Sequence, residues 1–127
     1  MQLNERDHAY FIDILECILD IREFTKDLSY FSFEKDKIRK LAVERQLEVI
    51  GQAANKISEE TQSHFNNIPW QNIIGLRNKL AHDYGEILVK RIWDISKKPL
   101  DDLYLELLKI EELKDYLKSK EIKEKDT

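Results

Sequence analysis

Apolar residues recur along this chain at intervals of three and four, and the places where that rhythm breaks divide it into helices. Asn4, with Asp7 three residues on in place of the usual Glu of a capping box, opens a first helix to about Leu28. Phe11, Ile14, Leu15, Ile18, Ile21 and Phe24 line its broad apolar face. Asp13, Glu16, Asp20, Glu23 and Asp27 run along another face, which reads as solvated because no histidine joins the carboxylates. Tyr30 to Phe33 interrupts the pattern. A second helix follows from about Phe33 to Ile57, with Ile38, Leu41, Ala42, Val49, Ile50, Ala53, Ala54 and Ile57 as its stripe.

Gly51 lies in the middle of that helix at a cost of about 1 kcal/mol against Ala, which predicts that another helix crosses closely there. Arg45, Glu48 and Gln52 form a polar row beside the stripe, either plain surface or a network between helices. A short turn from Ser58 to Phe65, carrying a surface histidine at His64, leads to a helix from Pro69 to Gly85. Trp70, Ile73, Ile74, Leu76, Leu80 and Ala81 supply its core side. Ile87, Leu88, Ile92, Trp93 and Ile95 mark a fourth helix to about Lys97. Pro99 starts a last one, with Leu100, Leu103, Leu107, Ile110, Leu113 and Leu117 on one face. The pattern predicts an all-α fold, a single domain over residues 1–117, and a polar tail over 118–127 that frays.

Composition agrees with helices: 36% of the 127 residues are charged, with three Gly and two Pro. Cys17 is the only cysteine, so no intrachain disulfide can form, and it reads as a small packing residue in a reducing, cytoplasmic setting. No charged-then-apolar leader opens the chain, and no apolar run approaches the roughly 20 residues of a membrane span.

The net charge of −4 argues against a general polyanion binder. It is unevenly spread. Residues 69–98 hold six Lys or Arg against three acids, so this segment carries +3 and the remainder −7. Any phosphate-binding surface is expected there.

That segment also gathers Arg77, Asn78, His82 and Tyr84 near one helix end. Along a helix, five residues advance about 140° net and about 7.5 Å, so Arg77 and His82 do not stack but can reach one phosphate over the last turn. Arginine offers a permanent charge in a planar fork, and histidine can move a proton near neutral pH. The lone Asp83 could not hold a catalytic Mg²⁺, which points to phosphate chemistry without metal; the scattered His8, His64 and His82 make no zinc pattern. The spacing equally fits two cations capping carbonyls at a helix C-terminus.

Ile50-Gly51-Gln52-Ala53-Ala54, Ile68-Pro69-Trp70 and Gly75-Leu76-Arg77-Asn78-Lys79-Leu80-Ala81-His82-Asp83-Tyr84 together resemble the HepT-like proteins of the HEPN superfamily over nearly the whole chain. The resemblance implies a HEPN-type up-and-down bundle of four main helices plus short extra ones. It implies a metal-independent endoribonuclease with no cofactor, the toxin of a two-gene toxin–antitoxin module. It further implies a homodimer, or a higher assembly built from it, in which two Arg-x4-His motifs face one RNA cleft. The partner is a minimal nucleotidyltransferase antitoxin that adenylylates the motif tyrosine. In this chain His82 would be the general acid/base, Arg77 the phosphate clamp, Asn78 a polar support and Tyr84 the modified residue. Family members commonly have Gly-Glu-Ala where this chain has Gly51-Gln52-Ala53, a departure that leaves the motif untouched. The alternative within the same resemblance is a catalytically silent HEPN domain that binds nucleotide or docks its nucleotidyltransferase.

Overall fold

The computed structural model describes residues 1–125, and among these every regular element is helical. In chain order the helices are α1 (Glu5–Thr25), α2 (Tyr30–Lys35), α3 (Lys37–Lys56), α4 (Glu59–His64), α5 (Trp70–Ile74), α6 (Leu76–Ala81), α7 (Gly85–Ile95), α8 (Lys98–Leu107) and α9 (Glu111–Lys125). The bundle is all-α among the described residues, as the hydrophobic pattern predicts. Its spine is the pair α1 and α3, packed on each other along most of their length, with α5 and α6 lying against α3 and α8 against α1.

Asn4 caps α1 by accepting from the Asp7 N–H at 2.7 Å. The helix ends at Thr25, and Asp27 then takes a left-handed backbone (φ 59°), which Asp tolerates better than most residues. The Asp7 carboxylate does more than cap. It is buried, and it accepts from the Ser58 N–H (3.0 Å), the Ser58 hydroxyl (2.6 Å) and the Thr61 hydroxyl (2.6 Å), tying the start of α1 to the start of α4.

The segment Tyr30 to Phe33 is itself part of a short helix. Ser29 caps α2, and Phe33 is buried against Trp93 with ring centroids 5.0 Å apart. Asp36 then caps α3. The core face of α3 is Val43, Leu47, Ile50 and Ala54, spaced four, three and four. Ile38 and Leu41, expected in the stripe, fall on the far side of the helix and are 79% and 57% exposed. The row Arg45, Glu48 and Gln52 is surface, with Arg45 and Glu48 3.6 Å apart.

The acidic face of α1 is less solvated than its spacing suggests. Glu16 accepts from the Tyr116 hydroxyl and the Lys120 ammonium, and Asp20 accepts from Gln46 at 2.9 Å. α9 continues past residue 117 to Lys125, and Tyr116 and Lys120 tie it to α1. Thr127 and its neighbour at 126 lie outside the described residues. Leu108 to Ile110 separates α8 from α9, where a single helix was expected.

Candidate functional site at the end of α6

The segment expected as one helix from Pro69 to Gly85 is two short helices and a turn. Pro69 is the N-cap of α5, and Trp70 is buried behind it, its Nε1–H donating to the Phe65 carbonyl at 3.1 Å. Gly75 separates the two helices. Across the interface lies Gly51 of α3, where a Cβ would sit 2.9 Å from the Ile73 carbonyl oxygen and 3.7 Å from that of Ile74. The close crossing predicted at Gly51 is therefore present, and α5 packs on α3 backbone to backbone.

From Gly75, α6 runs to Ala81, buries Leu76 and Leu80, and leaves Arg77, Asn78 and Lys79 facing solvent. His82 is its C-cap and keeps helical backbone angles (φ −87°, ψ −11°), so Arg77 and His82 hold the five-residue helical offset. The chain then leaves the helix. Tyr84 is extended (φ −134°, ψ 156°), and Gly85, expected to close this helix, instead opens α7 with φ 53°, a left-handed conformation that suits glycine.

Arg77, Asn78, His82 and Tyr84 are all exposed, Tyr84 to 81%. Among the described residues none of their side chains makes a hydrogen bond or ion pair, so Arg77 and His82 do not cap the carbonyls of α6. Four of the six cations of the +3 segment are engaged. Arg91 pairs with Asp83, Lys90 with Asp94 at 3.0 Å, Lys98 with Asp102 at 2.8 Å, and the Lys97 ammonium lies 3.9 Å from the Trp93 ring centre. Arg77 and Lys79 are left with their charge uncommitted.

Asp83 was considered in sequence only as a metal ligand. The structure places it in an ion pair with Arg91 of α7, its side chain only 12% exposed. Its short offset from Arg91, eight residues with a turn between, gave no helical periodicity that would have revealed the contact. Two concavities border this region. One, of about 690 Å³, is lined by Tyr30, Glu34, Glu86, Ile87, Lys90 and Arg91 among others. A smaller apolar one, of about 230 Å³, lies beneath α5 and α6 between Leu47, Ile73, Leu76 and Leu103. Neither contains Arg77 or His82, both of which stand exposed at the end of α6. Among the described residues no group of three or more His, Cys, Asp or Glu side chains converges as a metal site, and no helix is long and apolar enough to cross a membrane.

Fold and site together define a HEPN-type helical domain with an exposed Arg-Asn-x3-His-x-Tyr motif. The sequence profile of the family described as "Ribonuclease HepT-like" matches residues 14–122, and the chain belongs to that family. A Methanocaldococcus jannaschii protein named "Putative RNase MJ1380" is 39% identical over 106 residues, covering 83% of this chain and 97% of its own. The Thermococcus cleftensis protein named "Probable ribonuclease HepT" is 35% identical over 100 residues, 78% of this chain and 91% of its own. A third relative, "Putative RNase TTE0752" of Caldanaerobacter subterraneus subsp. tengcongensis, is 34% identical over 93 residues, 70% and 83% of the two chains. No solved structure matches the chain.

Proposed function

We propose that this protein is a metal-independent endoribonuclease, the toxin of a toxin–antitoxin pair, and that Arg77 and His82 carry its chemistry. The observation that bears most weight is that both side chains stand exposed and, among the described residues, without a partner at the end of α6, where Lys79 is uncommitted too. The names of its relatives support RNA as the substrate. RNA brings its own nucleophile: the 2′-oxygen attacks the adjacent phosphorus and the P–O5′ bond breaks. His82 accepts the 2′-hydroxyl proton or returns one to the departing 5′-oxygen. The Arg77 guanidinium holds the non-bridging oxygens as their charge grows. Asn78, one residue along, supports the same phosphate.

A single exposed motif offers little to grip a strand. A homodimer that sets two α6 ends across one cleft doubles both groups and brings two +3 segments together. The partner that neutralises the toxin is a minimal nucleotidyltransferase, acting by adenylylation of Tyr84. The second reading, a catalytically silent domain that docks this transferase, draws support from the −7 charge outside residues 69–98. Cleavage of RNA in excess EDTA by unmodified protein separates the two. The products should carry 2′,3′-cyclic phosphate and 5′-hydroxyl ends, and Arg77→Ala and His82→Ala should each lower the rate by about 10²-fold or more. His82→Ala protein as active as wild type would sink the enzymatic reading.

A further inference from the structure

The turn that presents His82 and Tyr84 has almost nothing of its own to hold it. Ala81, His82, Tyr84 and Gly85 are all exposed, and a Cβ on Gly85 would meet nothing within 4 Å. Its backbone hydrogen bonds are long: His82 N–H to the Lys79 carbonyl at 3.4 Å, Asp83 N–H to Leu80 at 3.3 Å, and Leu88 N–H to Tyr84 at 3.3 Å. Ordinary N–H···O bonds centre near 2.9–3.0 Å. Asp83 is the one side chain between Ala81 and Gly85 that turns inward, and its carboxylate meets the Arg91 Nε–H.

Arg91 sits on a well-anchored element. Its neighbour Ile92 is buried, and Trp93 packs on Phe33 and on Tyr30 with centroids 5.0 and 5.9 Å apart. We infer that the Asp83–Arg91 ion pair positions the motif: it fastens the α6–α7 turn to the core-anchored α7, and so fixes where His82 and Tyr84 stand relative to Arg77. Both are positioning residues, since neither is aimed at the reacting phosphate.

This inference rests on the reading that Arg77 and His82 cleave RNA, but it can be tested without that activity. The comparison is among wild type, Asp83→Asn, Arg91→Gln and the double variant, with amide hydrogen exchange, thermal unfolding and RNA cleavage measured on each. Amides 82–85 should exchange faster in both single variants while those in the middle of α1 and α3 keep wild-type rates. kcat should fall by about 10-fold or more with KM near wild type, because misplacement costs rate rather than grip. The double variant should be no worse than either single, as expected for two residues acting through one contact. Unchanged exchange at 82–85 in the single variants, or losses that add in the double, would overturn the inference. If wild-type protein cuts no RNA, the proposed function fails, and the exchange data alone decide whether the pair fixes the turn.

Discussion

Gly51 and Ile73 meet backbone to backbone: any side chain at residue 51 would press its Cβ to 2.9 Å from the Ile73 carbonyl oxygen. That contact limits how closely α5 can sit on α3. A Gly51→Ala substitution gains roughly 0.8–1 kcal/mol of helix propensity but meets a carbonyl, not a flexible side-chain end, and overpacking of this kind costs about 1–3 kcal/mol. The expected result is a net loss of about 1 kcal/mol and a melting midpoint lower by several degrees. A midpoint at or above wild type would mean that α5 shifts aside freely.

Asp7 makes stability depend on acid. Burial alone would raise its carboxyl, but hydrogen bonds from Ser58, Thr61 and Asn4 outweigh that and hold its pKa below the usual carboxylate value. A depressed pKa contributes stability that is fully present above the unfolded value of about 3.9 and is lost as pH falls through the folded one. Asp7→Ala leaves the Ser58 and Thr61 donors without this acceptor and should cost about 1–3 kcal/mol at pH 7. The gap between variant and wild type should narrow below about pH 4. Urea unfolding at pH 7 and pH 3 reads it directly, and a gap of equal size at both would remove Asp7 as the cause.

Cys17 should be inert in the folded protein. Burial pushes its thiol up to about 12, with the carboxylates of Asp20, Asp13 and Glu16 adding to the effect, and its Sγ donates to Gln46 Oε1 at 3.2 Å. The thiolate is the reactive form, so at pH 8 alkylation should be far slower in native protein than in urea. Equal rates in the two would show that the α1–α3 contact opens readily.

What the chain declared in advance was whatever repeated within one helix. The face of α1, the capping role of Asn4 and the crossing at Gly51 all follow from local spacing. What it concealed depended on partners distant in sequence. Val43 and Leu47 were missed because Ile38 and Leu41 offered an equally regular stripe, and only the packing of α1 decides between them. The helix through residue 125 was hidden because the contacts that tie it to α1 reach Glu16, about a hundred positions earlier. Gly85 carried the right signal, a left-handed residue at a boundary, but a glycine there can close one helix or open the next. Arg77, Asn78, His82 and Tyr84 were all legible as types, whereas Asp83 and Arg91 were not, because an ion pair across a turn has no period.

Tyr84 is where control of the proposed toxin should lie. A tyrosine at a helix end usually packs, yet Tyr84 is 81% exposed and its hydroxyl has no partner among the described residues. Its position, two residues past His82, puts the phenol beside the cationic end of α6. In the proposed reaction the Tyr84 oxygen attacks the α-phosphate of ATP, a new P–O bond forms, pyrophosphate departs and the phenolic proton is lost. The AMP group then brings a negative phosphate next to Arg77 and His82, where it pairs with the guanidinium and repels RNA. Tyr84→Phe removes only the hydroxyl from an exposed ring, so its melting midpoint should match wild type within about a degree, as for surface changes generally. It should keep cleavage but accept no AMP, and so escape neutralisation. Incubation with ATP and the cognate nucleotidyltransferase, followed by intact-mass measurement and a cleavage assay, gives the answer. Wild type should gain one or more AMP units and lose activity while Tyr84→Phe does neither; AMP appearing equally on both proteins, or on neither, would place the switch elsewhere.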